Sequence, residues 1–318
     1  MLSRKSKLRV KKIVSLFSVV RGYNIPVIAI AQYLSAVFIL SPPHMPALEV
    51  VLNIDIFLLV LASSIAIASG YIINNFYDSE KDLINRPRKS MLDRLVSQKT
   101  KLYVYFSLNF LSVFVGWLVS WRVALFYAMY IFVIWFYSHK LKKYPIIGNV
   151  TACLLAIAPF FGILLYFSKL DPYAMFRPMQ LEIIIAHAAF LFLLLLIREM
   201  TKDLENLRGD FATNYKTVAV VYGESVSKTA ITTLAALTTI PVYVLIETVD
   251  VGYMDIYFYV CLIFLLFFVI FLWRSDSRKQ FLALHNTLKF LIVAGVFCIV
   301  LIEPSVLWHG KKMLLSAI

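Results

Sequence analysis

The stretch LEIIIAHAAFLFLLLLIR, residues 181–198, decides the fold. It is apolar almost throughout and close to the ~20 residues that an α-helix needs to cross a bilayer. From Leu191 to Ile197 every residue is apolar. A membrane-spanning strand would alternate apolar and polar side chains over about ten residues, so the stretch is a helix. Similar runs recur on both sides of it. They predict nine spans at 24–41, 55–77, 101–120, 122–138, 146–167, 181–198, 229–247, 255–273 and 288–303, with seven or eight full crossings as the alternative because some runs are short.

The composition agrees. Of 318 residues, 61% are hydrophobic and 15% charged, against about 45–50% and about 25% in soluble domains. A mean hydropathy of +0.81 excludes both a soluble globule and a disordered chain. The formal charge of +13 would suggest nucleic acid in a soluble protein. Here the placement of the charges decides otherwise. With each Lys and Arg assigned to a flank, those at span ends going to the nearer one, 26 of 31 belong before the first span or after the even-numbered ones. Loops facing the cytoplasm carry the Lys/Arg excess, so the N-terminus and the even-numbered loops are expected to be cytoplasmic, in a bacterial inner membrane. No nucleic-acid partner is expected. The expected organisation is a basic segment at 1–23, a transmembrane domain at 24–303 and a short tail at 304–318. Ser41-Pro42-Pro43 follows the first span where a signal peptide would show small residues, so that span is expected to be retained; a mitochondrial transit segment is the alternative. Cys153, Cys261 and Cys298 all lie in spans and match no metal spacing.

Two loops hold the acids that matter. After the second span comes Asn74-Asn75-Phe76-Tyr77-Asp78-Ser79-Glu80-Lys81-Asp82. Asn74, Asp78 and Asp82 are four apart, so they share one helix face. Two carboxylates and an amide oxygen suit a hard cation such as Mg²⁺, which binds through one or two carboxylates together with substrate phosphates. Arg86, Arg88 and Lys89 follow at once. After the sixth span, Glu199, Asp203, Asn206 and Asp210 again share a face, beside Arg198, Lys202 and Arg208. Either stretch alone reads equally well as a solvated helix end. Together they suggest an internal repeat, helices one to four and five to eight plus a ninth, with two acid sites facing each other. Such sites imply a ligand with several negative charges held through metal ions, and a diphosphate fits. Phe106, Phe110, Phe114, Trp117 and Trp121 form an aromatic stripe at helical spacing. It is expected to face lipid or neighbouring helices, the alternative being a groove for an isoprenoid tail.

At these residues the chain resembles the UbiA superfamily of membrane prenyltransferases. The resemblance rests on Asn74-x-x-x-Asp78-x-x-x-Asp82 with Asn85-Arg86-Pro87, and on Lys202-Asp203-x-Glu205-x-x-x-Gly209-Asp210 with Lys216-Thr217. Tyr137-Ser138, Leu141-Lys142-Lys143 and Gly148-Asn149 add to it, as do Arg21 and Asn24, and it runs over roughly residues 18 to 302. It implies an all-α bundle of nine helices with a central cavity. It implies Mg²⁺ held by Asn74, Asp78, Asp82, Asp203 and Asp210, bridging the diphosphate of a polyprenyl donor, with Arg88, Lys142 and Lys202 pairing with that diphosphate and Asn206 beside it. Many members carry Asp where Asn206 stands, and a run of the Arg-Pro-Leu-Pro-Ser-Gly kind where this chain has Arg88-Lys89-Ser90-Met91-Leu92-Asp93. The second loop looks most similar to digeranylgeranylglyceryl phosphate synthase-like members, which prenylate prenylglyceryl phosphate. The alternatives are an aromatic acceptor of the 4-hydroxybenzoate type, a cyclase or phosphatase acting on the donor alone, and an ion-coupled transporter. A transporter would place its acids near the membrane midplane, where His187 is the deep ionisable residue here.

Overall fold

The computed structural model describes residues 4–42, 45–175, 178–249 and 251–304. Nearly all of the expected C-terminal tail therefore lies outside the described residues. What is described is helical: α1 (Arg4–Val19), α2 (Ile25–Leu40), α3 (Ile54–Tyr77), α4 (Ser79–Asn85), α5 (Pro87–Asp93), α6 (Gln98–Val119), α7 (Trp121–His139), α8 (Ile147–Leu170), α9 (Pro178–Ala212), α10 (Val218–Val249), α11 (Asp255–Trp273) and α12 (Arg278–Cys298). Eight of these, α3 and α6 to α12, are long and apolar enough to span a membrane, and the protein is integral to one. The expected first span, α2, is shorter. Its 11 α-helical residues and five π-helical residues reach about 24 Å against a hydrocarbon core of about 30 Å. The expectation of nine crossings thus meets eight full-length helices and one short one.

Capping residues move several boundaries from their expected places. Asn53 accepts from the backbone N–H groups of Asp55 and Ile56 and starts α3. Ser97 does the same for α6 at Thr100. Ser277 and Gln280 form a capping box, so α12 begins ten residues before the apolar run that marks it in the sequence. α10 begins at Val218 rather than 229, and Gly223 interrupts it at φ 87°, a conformation open to glycine without steric cost. α9 is 35 residues long, about 52 Å. It outruns the bilayer core, and its last turns carry the second acid motif beyond the apolar stretch.

The bundle packs as two halves. In the first, α3 lies against α6 and α7, with Leu59, Ala62, Ala66 and Ile72 buried at the contact. Small residues allow this close approach in a membrane, where apolar lipid offers little other drive for association. Polar side chains close on backbone carbonyls: Ser112 donates to Ala62 at 2.8 Å and Tyr127 to Leu59 at 2.8 Å. In the second half α9 packs on α10 and α12, and α8 joins it to the first half. The expected aromatic stripe is exposed, Phe110 at 75% and Trp117 at 62%, so it faces lipid, with Phe106 at the edge of a pocket beside Tyr105 and Trp135. His187 holds the carbonyl of Ile183 through Nδ1 at 2.9 Å, which makes it a packed histidine.

Candidate active site

Both acid motifs sit at the same end of the bundle. The first straddles the junction of α3 and α4. Asp78 leaves helical geometry there (φ −87°, ψ 5°), yet the i to i−4 ladder continues through it: Asp78 N–H donates to Asn74 at 2.9 Å and Asp82 N–H to Asp78 at 2.8 Å. The bend tips α4 onto α9. A Cβ on Gly209 would stand 2.3 Å from Asn85 Nδ2, so a glycine is needed where the two motifs meet. Asn85 itself donates to the carbonyl of Asn206 at 3.5 Å.

The carboxylates are held by named partners. Lys142 Nζ donates to Asn74 Oδ1 at 3.0 Å and to Asp78 Oδ1 at 2.7 Å. Its loop is pressed onto α8, where a Cβ on Gly148 would lie 3.1 Å from the Lys142 Cα. Asn149, on the next residue of α8, donates to Asp203 Oδ2 at 2.7 Å. Lys81 forms an ion pair with Asp210, which is fully buried, and Asp210 Oδ2 has no hydrogen-bond partner. Tyr215 closes the arrangement. Asn214 adopts φ 57°, the Tyr215 N–H returns to Asp210 at 2.9 Å and the Asn214 N–H to Phe211 at 3.3 Å. This is a Schellman ending with Asn in the left-handed position. It turns the Tyr215 hydroxyl back to donate to Asp78 Oδ1 at 2.8 Å and lays its ring 4.3 Å from Lys81 Nζ.

These contacts set the local charge. Burial pushes the Asp78 carboxyl up, but Lys142 and Lys81 outweigh it and hold it below the usual carboxylate range. Burial and the Asp78 charge together raise Asp82. Burial would lower Lys81, yet Asp210 and Asp78 hold it above the ordinary lysine range. The Tyr215 phenol is pushed up, first by burial and then by Asp78. Two carboxylates in one pocket repel, and the structure answers with ammonium groups between them.

The structure places each of the expected site residues. Lys81, Lys142 and Asn149 hold Asp210, Asp78 and Asp203, and among the described residues no three His, Cys, Asp or Glu side chains gather round one point. The donor chemistry still fits Mg²⁺. Asn74, Asp78, Asp82, Asp203 and Asp210 offer hard oxygens, and the partnerless Asp210 Oδ2 is a buried acceptor available to a cation. Arg88 is exposed on α5, while Arg86 pairs with Glu205 at 3.1 Å. Lys202 pairs with Glu199, which also holds Arg198 at 2.8 Å. Glu205 points to Arg86 and to His285 Nδ1 at 2.9 Å, where it ties α12 to the motif. Asn206 is buried beside Asn85. The divergent run from Arg88 to Asp93 is a helix locked by its last residue. Asp93 accepts from Ser18 at 2.8 Å, Asn75 at 3.0 Å and Lys89 at 2.9 Å.

Lys81 and Tyr215 carry no signal in the one-face spacing that revealed the acids. The ending at Asn214, followed at once by an aromatic residue, was the available clue to Tyr215.

Residues 29–302 match the UbiA prenyltransferase family. The chain belongs to that family. Its relatives in sequence include the digeranylgeranylglyceryl phosphate synthases of Methanobrevibacter smithii, 30% identical over 189 residues covering 55% of this chain and 61% of that protein, and of Thermococcus sibiricus, 31% identical over 187 residues covering 58% and 61%. The chain thus spans about three fifths of the length of these curated relatives. Solved UbiA-family structures share the fold. One of a digeranylgeranylglyceryl phosphate synthase has a TM-score of 0.65 at 18% identity, covering 92% of this chain and 98% of that one. A UbiA homologue from Archaeoglobus fulgidus, bound to GPP and Mg²⁺, has a TM-score of 0.63 at 16% identity, covering 90% and 99%.

Proposed function

We propose that the protein transfers a polyprenyl group from an allylic polyprenyl diphosphate to prenylglyceryl phosphate, with Mg²⁺ as cofactor. The observation that carries this is the convergence of both acid motifs, on α3–α4 and α9, around Lys81, Lys142 and Tyr215. The names of the sequence relatives favour the phosphate-bearing acceptor over 4-hydroxybenzoate. The acids lie at helix ends, which disfavours an ion-coupled transporter.

In this reading Asn74, Asp78, Asp82, Asp203 and Asp210 hold the metal, which supplies Lewis-acid neutralisation of the diphosphate oxygens. The diphosphate takes over the charge of Lys142 and Lys81, so those ammonium groups stabilise the leaving group as the allylic C–O bond breaks. Apolar helices keep water from the resulting carbocation. The acceptor hydroxyl then forms the new C–O bond, and its proton leaves with the diphosphate. The acid-motif end faces the cytoplasm, in keeping with the Lys/Arg excess on that side.

The test offers purified protein geranylgeranyl diphosphate and Mg²⁺ with either geranylgeranylglyceryl phosphate or 4-hydroxybenzoate, or with neither. Product from the glyceryl phosphate, and none from donor alone, is expected. Product solely from the aromatic acid overturns the acceptor, and diphosphate release without acceptor assigns a cyclase or phosphatase.

A further inference from the structure

A second charged group stands beside the acid motifs. Arg198 on α9, Lys289 on α12 and Arg21 before α2 converge on one region. Lys289 Nζ donates to Asn24 Oδ1 at 3.1 Å. Arg21 adopts φ 48°, a left-handed conformation that a residue with a Cβ rarely takes, and its guanidinium lies 5.0 Å from the Tyr71 ring centroid. Arg198 and Lys289 are within electrostatic reach of each other and of Arg21, and Lys202 is within reach of Arg198 and Arg21. Among the described residues Glu199 is the carboxylate paired with this group, through Arg198 and Lys202. Asp82 and Asp203 border it, but both belong to the metal-binding sets. Four half-buried cations around one paired carboxylate leave positive charge that interior packing alone does not compensate.

The same three elements, together with α8, line a cavity of about 120 Å³. Ala31 and Ser35 come from α2, Leu191 and Leu194 from α9, and Ile292 and Val296 from α12. Arg198 is one turn beyond Leu194, and Lys289 one turn before Ile292, so the cations stand at the end of the cavity nearest the acids. A cationic mouth over an apolar cavity selects an anionic amphiphile. The donor diphosphate has its place at the acid motifs, through metal and Lys142.

We infer that Arg21, Arg198 and Lys289 receive the phosphate monoester of the acceptor lipid, whose apolar chain enters the cavity between α2, α8, α9 and α12. This rests on the proposed function, which it deepens by assigning the acceptor subsite. Specificity for a phosphate-bearing acceptor is then set by side chains outside both acid motifs.

Arg198→Gln and Lys289→Gln test it in the full chain, reconstituted in nanodiscs, with melting temperature as the check on folding and Lys289→Arg as the conservative control. Two readouts are used. The first is binding, without Mg²⁺ or donor, of geranylgeranylglyceryl phosphate and of its dephosphorylated alcohol. The second is the KM for each substrate. Losing a charged hydrogen-bond partner predicts about tenfold or greater weakening of the phosphate lipid in either Gln variant. The alcohol should bind as to wild type, the donor KM should shift less than about twofold, and Lys289→Arg should restore binding. A rise in the donor KM in place of the acceptor KM overturns the assignment, as does wild-type protein that binds phosphate and alcohol equally. Should wild type make no product from either acceptor, the proposed reaction fails. The binding arm still decides the site: phosphate-lipid binding lost in the variants supports it, and binding retained overturns it.

Discussion

Asp78 shows how one side chain is shared between structure and chemistry. Its carboxylate holds Lys142 and Tyr215, and in the proposed reaction the same carboxylate would bind a cation. Asp78→Ala and Asp203→Ala are expected to lower prenyl transfer by about 100-fold or more, measured as labelled product, while gel filtration and circular dichroism still report a folded membrane protein. Lys142 is nearly buried, and removing one partner of a buried pair strands the other, at a cost of about 3–5 kcal/mol. Lys142→Met should therefore lower the Tm sharply, and adding Asp78→Asn should recover part of the loss, a coupling that a double-mutant cycle reads directly. The acids themselves were legible in the sequence because spacing of three and four puts them on one face. Lys81 was not, since a lysine between two acids looks like surface charge until Asp210 is seen against it.

At the scale of elements, the site depends on how closely α4 approaches α9. Gly209 permits the contact with Asn85, and overpacking at such a point costs about 1–3 kcal/mol. Gly209→Val should lower the Tm by that equivalent and reduce turnover more than it changes the helical signal, because the two motifs are pushed apart while the helices persist. The helices of the bundle were legible in the apolar runs, but their polar extensions were not. α9 continues to Ala212, and α10 and α12 begin about ten residues before their apolar stretches. Caps and tertiary contacts, rather than hydropathy, set those ends.

Across the whole molecule, the ammonium groups of Lys81 and Lys142 neutralise carboxylates that would otherwise repel. Chelation with EDTA is accordingly expected to abolish transfer while leaving the Tm nearly unchanged. Lys81→Met should make the Tm depend on Mg²⁺, since Asp210 then has only the metal to balance it; thermal unfolding with and without Mg²⁺ checks both statements. The lipid-facing aromatic stripe belongs to this scale too. Its spacing on α6 fitted either a groove or an outer surface, and only the packing of α3 against the opposite face of α6 placed it outside.

The sequence by itself determined a helical membrane bundle, the two acid motifs and the family, because apolar length and residue spacing act locally along one helix. The tertiary structure decided which side chains answer those acids. Lys81, Tyr215 and Asn149 reach their partners across elements, Arg88 stays exposed, and Arg21, Arg198 and Lys289 meet from three separate parts of the chain. Such pairings depend on the bend at Asp78, the left-handed turn at Asn214 and the close approach at Gly209. Each of these acts between segments that no periodicity connects.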